Sequence, residues 1–102
     1  MRLSSDAATV TIQADRANTF ILTATAGVGA TRQIGAPTGM VNGQRILIIF
    51  IQDGAGGRAL TFNAVFKQAW SDTGNTASKR SSIAFIYDGA NWNQDSAQAP
   101  YV

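Results

Sequence analysis

Six consecutive apolar residues, Ile46-Leu47-Ile48-Ile49-Phe50-Ile51, constrain this chain more than any other feature. The run lies between Arg45 and Gln52-Asp53-Gly54. Its β-branched content and the Asp-Gly boundary favour a strand over a helix. A strand apolar on both faces is buried on both, either inside one core or between a core and a subunit contact. The run is far too short to span a bilayer. The expectation is one face for the chain's own core and the other for a neighbour. That places Ile46, Ile48 and Phe50, with the nearby Arg58, at a subunit interface, Arg58 pairing with an Asp of the neighbour.

The rest of the chain reads as shorter strands between turns. Val10 and Ile12 alternate with Thr9, Thr11 and Gln13. Phe20, Leu22 and Ala24 alternate with Ile21, Thr23 and Thr25. Such period-two patterns are half-buried strands. Thr31 to Ile34 reads as a short strand, and Pro37 marks a loop. After Asp53-Gly54-Ala55-Gly56-Gly57, a turn that needs several positive-φ sites, Leu60 and Phe62 turn inward. Ile83, Phe85 and Tyr87 form the last strong strand, which ends at Asp88-Gly89-Ala90-Asn91 before Trp92. No helix is expected. Many short strands with regular turn signals indicate a small antiparallel β-sandwich, jelly-roll-like or barrel-like. The predicted domain covers residues 7–93, with a polar N-terminal arm at 1–6 and a polar tail at 94–102.

The residue types exclude most chemistry. The chain has no His, Cys or Glu, and its acids are six Asp. Without His and Cys, the usual general base, thiolate and zinc ligands are missing. Asp15, Asp53, Asp72 and Asp88 fall where turns are expected, and Asp caps its own backbone in turns. No catalytic, cofactor or metal site is read. The loop Asp53–Arg58 lacks the Lys-Ser/Thr and the following helix of a phosphate loop. The eight Lys and Arg are scattered, so no nucleic-acid footprint is expected. No apolar leader follows Met1, and no membrane segment is expected. The one plausible binding site is a set of aromatic and amide side chains, Trp70, Tyr87, Asn91 and Trp92, which suit a glycan; the competing reading is that the rings close the core. Only 14% of residues are charged, against about 25% in ordinary domains. A surface this poor in charge suggests partner subunits.

Two ordered motifs stand out: Gln52-Asp53-Gly54-Ala55-Gly56-Gly57-Arg58-Ala59-Leu60-Thr61-Phe62, then Ile86-Tyr87-Asp88-Gly89-Ala90-Asn91-Trp92. Together they resemble a β-domain of tailed-bacteriophage virion proteins, found in tail fibres, spikes and small capsid surface proteins. The resemblance covers about residues 7–92. It implies a small β-sandwich that trimerises, with no catalytic residues to carry over. The chain starts at Met1 and ends soon after Trp92, so it reads as a complete protein rather than a segment of a long fibre. The expectation that follows is a capsid decoration (cement) protein on the virion's capsid surface. It would be a homotrimer bound to the phage major capsid protein, stabilising the head through its apolar strand and its two arms. The alternative is a tail fibre or tailspike module that binds a host surface glycan through Trp70, Tyr87, Asn91 and Trp92.

Overall fold

A computed structural model describes residues 2–4, 6–25, 27–28, 31–54, 56–68, 78 and 80–98. The strands are β1 (Arg2–Ser4), β2 (Thr9–Val10), β3 (Thr19–Thr23), β4 (Thr31–Ile34), β5 (Arg45–Ile51), β6 (Ala59–Phe62), β7 (Phe66–Lys67), β8 (Arg80–Tyr87) and β9 (Trp92–Gln98). Among the described residues there is no helix. A six-stranded sheet has the order β1-β3-β5-β8-β9-β7, and a three-stranded sheet the order β2-β4-β6. The all-β class and the two sheets are as the sequence predicts.

The direction of pairing is not. From β1 to β6 the chain crosses to the other sheet after every strand. Strands two apart in sequence therefore stack side by side in the same sense. β1, β3 and β5 are parallel neighbours, and so are β2, β4 and β6. Parallel neighbours need a long crossover, and here the facing sheet supplies it. The result is three stacked coils. Val10, Ile34 and Phe62 form one in-register column, and Phe20 with Ile48 another. The antiparallel expectation holds only beyond the coils, where β8 runs antiparallel to β5 and β9 antiparallel to β8. β7 closes the sheet as an edge strand parallel to β9.

Alternation explains which faces are buried. Phe20 and Leu22 of β3, Ile46, Ile48 and Phe50 of β5, and Ile83 and Phe85 of β8 all point into the core. Ile34, Leu60 and Phe62 meet them from the smaller sheet. Burying each such side chain stabilises the fold by roughly 1.5–3 kcal/mol. An aromatic group closes one end. The Phe66 and Phe85 rings lie 4.7 Å apart, and the Tyr87 and Trp92 rings 4.8 Å apart.

Two polar stretches read as arms contain sheet strands. Residues 2–4 pair with residues 20–22, and β9 continues along β8 as far as the pair Ser82 and Gln98. Edge and outer strands tolerate polar side chains, because only their backbone needs partners. Polarity therefore did not mark these residues as non-strand.

Candidate functional site

The two Asp-Gly motifs are built for structure. The Gln52 side chain is 2% exposed. Its amide acts as a strand partner for Arg58: Nε2 donates to the Arg58 carbonyl at 2.6 Å, and Oε1 accepts from the Arg58 N–H at 3.1 Å. Asp53 accepts from the Gly56 N–H at 2.8 Å and from Arg58 Nε at 2.9 Å. Gly56 and Gly57 adopt φ of 72° and 73°, the positive-φ sites expected of this turn. The Gly56 N–H that a phosphate would need is thus held by Asp53. Arg58 pairs with Asp53 of its own chain, through Nε at 2.9 Å.

The second motif works in the same way. Asp88 Oδ1 accepts from the N–H groups of Ala90 and Asn91, at 2.9 and 2.7 Å. Its Oδ2 accepts from Asn93 Nδ2 at 2.9 Å. The Asn91 N–H, then the Asn93 amide and the Ala90 N–H, lower the Asp88 pKa to about 2.

The apolar strand needs a correction. Ile46, Ile48 and Phe50 are at most 1% exposed and belong to the core of the chain itself. No subunit can touch them in the folded state. The outward face of β5 carries Leu47, Ile49 and Ile51, all half-buried. Ile49 lies beside Ile21 of β3, and Ile86 of β8, opposite Arg45, is exposed. The outward face of this strand is therefore apolar too, one residue out of phase with the residues first named.

The aromatic corner is also divided. Trp92 is fully buried against Phe66 and Tyr87, which leaves its ring no face for a glycan. Among the described residues its Nε1–H has no hydrogen-bond partner. Tyr87 packs partly buried against the core, and Asn91 is half-buried beside Asp88. Trp70 lies outside the described residues. The reading in which rings close the core describes Trp92 correctly.

Residues 3–92 match a family described as "Putative phage tail fibre C-terminal domain". The chain belongs to this phage tail fibre family. It is a phage structural domain and a virion component. No curated protein and no solved structure matches the chain.

Two features of this tail fibre domain escaped the sequence reading. The first is a buried ion pair. Arg32 points into the core from β4, and its Nε and Nη2 each donate to Asp6 at 2.9 Å. The two side chains are 0% and 3% exposed. Asp6 also accepts from the Thr25 N–H and hydroxyl, at 2.8 and 3.0 Å. Burial pushes the Asp6 carboxyl up, but the Arg32 and Thr25 hydrogen bonds and the Arg32 charge outweigh it. The net shift is downward. The Arg32 guanidinium also lies 5.9 Å from the centre of the Phe50 ring.

The second is an open hollow of about 540 Å³ lined by Asp15, Asn18, Gly39, Val41, Asn42 and Gln44, among others. Its walls are the turn at 13–18 and the loop at 39–44. A parallel bridge between Gln13 and Thr38 brings the two together. The Ala14 N–H donates to Thr38 O at 2.8 Å. The turn residues were readable in the sequence, Asn42-Gly43 above all. Their meeting was not, because it depends on coil stacking.

Proposed function

We propose that this domain is a non-catalytic part of a tail fibre, acting where the virion engages its host's surface. The observation that carries the reading is the family match, which runs from within β1 to the first residue of β9. It favours the tail over the capsid-surface decoration role that the sequence suggested. The test is to label virions with gold-conjugated antibody to the domain and image them by electron microscopy. Label on the tail fibres is expected. Label on the head shell would restore the decoration reading.

The proposed assembly is a homotrimer, closed by the outward face of the six-stranded sheet. Ile21, Leu47, Ile49 and Ile51 support it, since they make a continuous half-buried apolar stripe. A closed ring would hide such a stripe. Sedimentation at micromolar concentration should give three chains for the natural domain and one for Ile49→Asp. A natural domain that sediments as a monomer would refute the assembly.

A further inference from the structure

We propose that the hollow between the 13–18 turn and the 39–44 loop is a saccharide site, taking a neutral hexose or N-acetylhexosamine unit of a surface polysaccharide. The tail fibre reading supplies the source of the ligand. The chemistry of the hollow supplies its class.

The volume, about 540 Å³, lies within the usual range of small-ligand sites. The polar groups around it are planar amides and one carboxylate: Asn18, Asn42, Gln44 and Asp15. Such groups accept from and donate to pairs of neighbouring hydroxyls. Val41, 65% exposed, adds an apolar wall for the C–H face of a sugar ring. A single Asp among the lining residues is too few for a metal site. The one cation in the lining, Arg45, is held by Asp95 at 3.1 Å, which disfavours an anionic ligand. Asn42 and Asp15 make no side-chain hydrogen bond among the described residues, so both are available to a ligand. Asp15 has only a distant ion pair with Arg16, at 3.8 Å.

The site is also held in shape before anything binds. Gln44 Nε2 donates to Ala14 O at 2.6 Å and to Asn18 Oδ1 at 3.2 Å, while its Oε1 accepts from the Val41 N–H at 3.2 Å. The amide thereby ties one wall to the other. The backbone of Gly43 and Gln44 pairs with Tyr87, which fixes the loop to the larger sheet. Gly39 has φ of +71°, and a Cβ there would lie 2.6 Å from the Asp15 carboxyl carbon. That glycine lets the carboxylate settle against the loop. A site with little left to order loses little entropy on binding. A ligand of about a dozen heavy atoms in an open site binds with a Kd of roughly 1 mM. Several copies on one fibre would raise the effective strength by avidity.

The test is a proton–nitrogen NMR titration of the whole domain with glucose, galactose, mannose, rhamnose and N-acetylglucosamine. At least one sugar should shift the amide signals of residues 14–18 and 39–45 more than those of the rest of the chain. Asn42→Ala and Asp15→Ala should each lower the affinity about tenfold or more, with the remaining spectrum unchanged. Should Asp15→Ala fail to fold, Asn42→Ala alone decides, since Asn42 is exposed. The inference is overturned if no sugar shifts the hollow, if the shifts centre on Tyr87 and Asn91, or if sulfate gives the same shifts as the sugars. Binding of the fluorescent domain to host cells separates the two readings. Undiminished binding by Asn42→Ala, with no sugar response at the hollow, sinks the saccharide site and leaves the tail fibre role standing. Gold label confined to the head sinks the tail fibre role, while the titration still reports on the hollow.

Discussion

The parallel coils of β1 to β6 and the antiparallel ribbon of β8 and β9 share one core but are secured differently. The ribbon is joined by a short turn and buries Ile83, Phe85 and Trp92 from its inner face. The coils have no short turn between partners, and they place a charged pair, Asp6 and Arg32, in their interior. In the ribbon the chain's own continuity sets the register. In the coils register depends on side chains that reach from one connection to another. Asp6 ties the segment after β1 to Thr25 and β4, and Gln52 ties the end of β5 to the start of β6.

If that contrast is right, the largest losses come from the ties between coils. Asp6→Ala strands the Arg32 charge in the core and should cost about 3–5 kcal/mol in urea unfolding. Adding Arg32→Met should recover much of it. A loss below about 1 kcal/mol, the range of exposed pairs, would erase the contrast. Next comes Gln52→Ala, which leaves the Arg58 N–H and C=O without their partner. We expect about 2 kcal/mol by the same measurement. Gly39→Ala should cost about 1–2 kcal/mol, through the positive φ and the approach of Asp15.

The smallest effect belongs to the ribbon turn and is best read as a pH dependence. The Asp88 pKa is near 2 in the fold, against an ordinary 3.8. Its stabilising contribution is therefore complete above pH 3.8 and lost as pH falls towards 2. Asp88→Asn should flatten stability against pH in that window. The slope that remains in the variant should include Asp6, whose pKa is also lowered.

The same contrast explains what the sequence could reveal. Ile83, Phe85 and Tyr87 alternate cleanly into an Asp-Gly turn, so the ribbon's first strand and turn were readable from neighbouring residues alone. The inward face of β5 was harder. Six apolar residues in a row carry no phase, and only pairing with β3 and β8 selects Ile46, Ile48 and Phe50 for the core. Parallel stacking left no local mark, since Val10, Ile34 and Phe62 meet only through the crossovers. Nothing in Thr31-Arg32-Gln33-Ile34 marks Arg32 as one half of a buried ion pair, because its partner Asp6 lies far away in sequence. The lining of the hollow was visible as turn residues, but the hollow requires two turns that are distant in sequence.

The stacking of the coils also bears on how the chain folds. Phe20 must find Ile48, and Ile34 must find Phe62, before either pair contributes any stabilisation. Among the described residues, β8 and β9 alone pair across a short turn. Topologies of this kind close long loops before they are rewarded, and they fold in milliseconds to seconds rather than microseconds. The ribbon is the natural place for a nucleus, with the coils added afterwards. In stopped-flow refolding, a substitution at Ile83 should slow folding, whereas one at Val10 should chiefly speed unfolding. Until the coils form, a newly made chain presents its strand edges to every other copy nearby, so assembly of the virion must contend with misassociation as well as with correct folding.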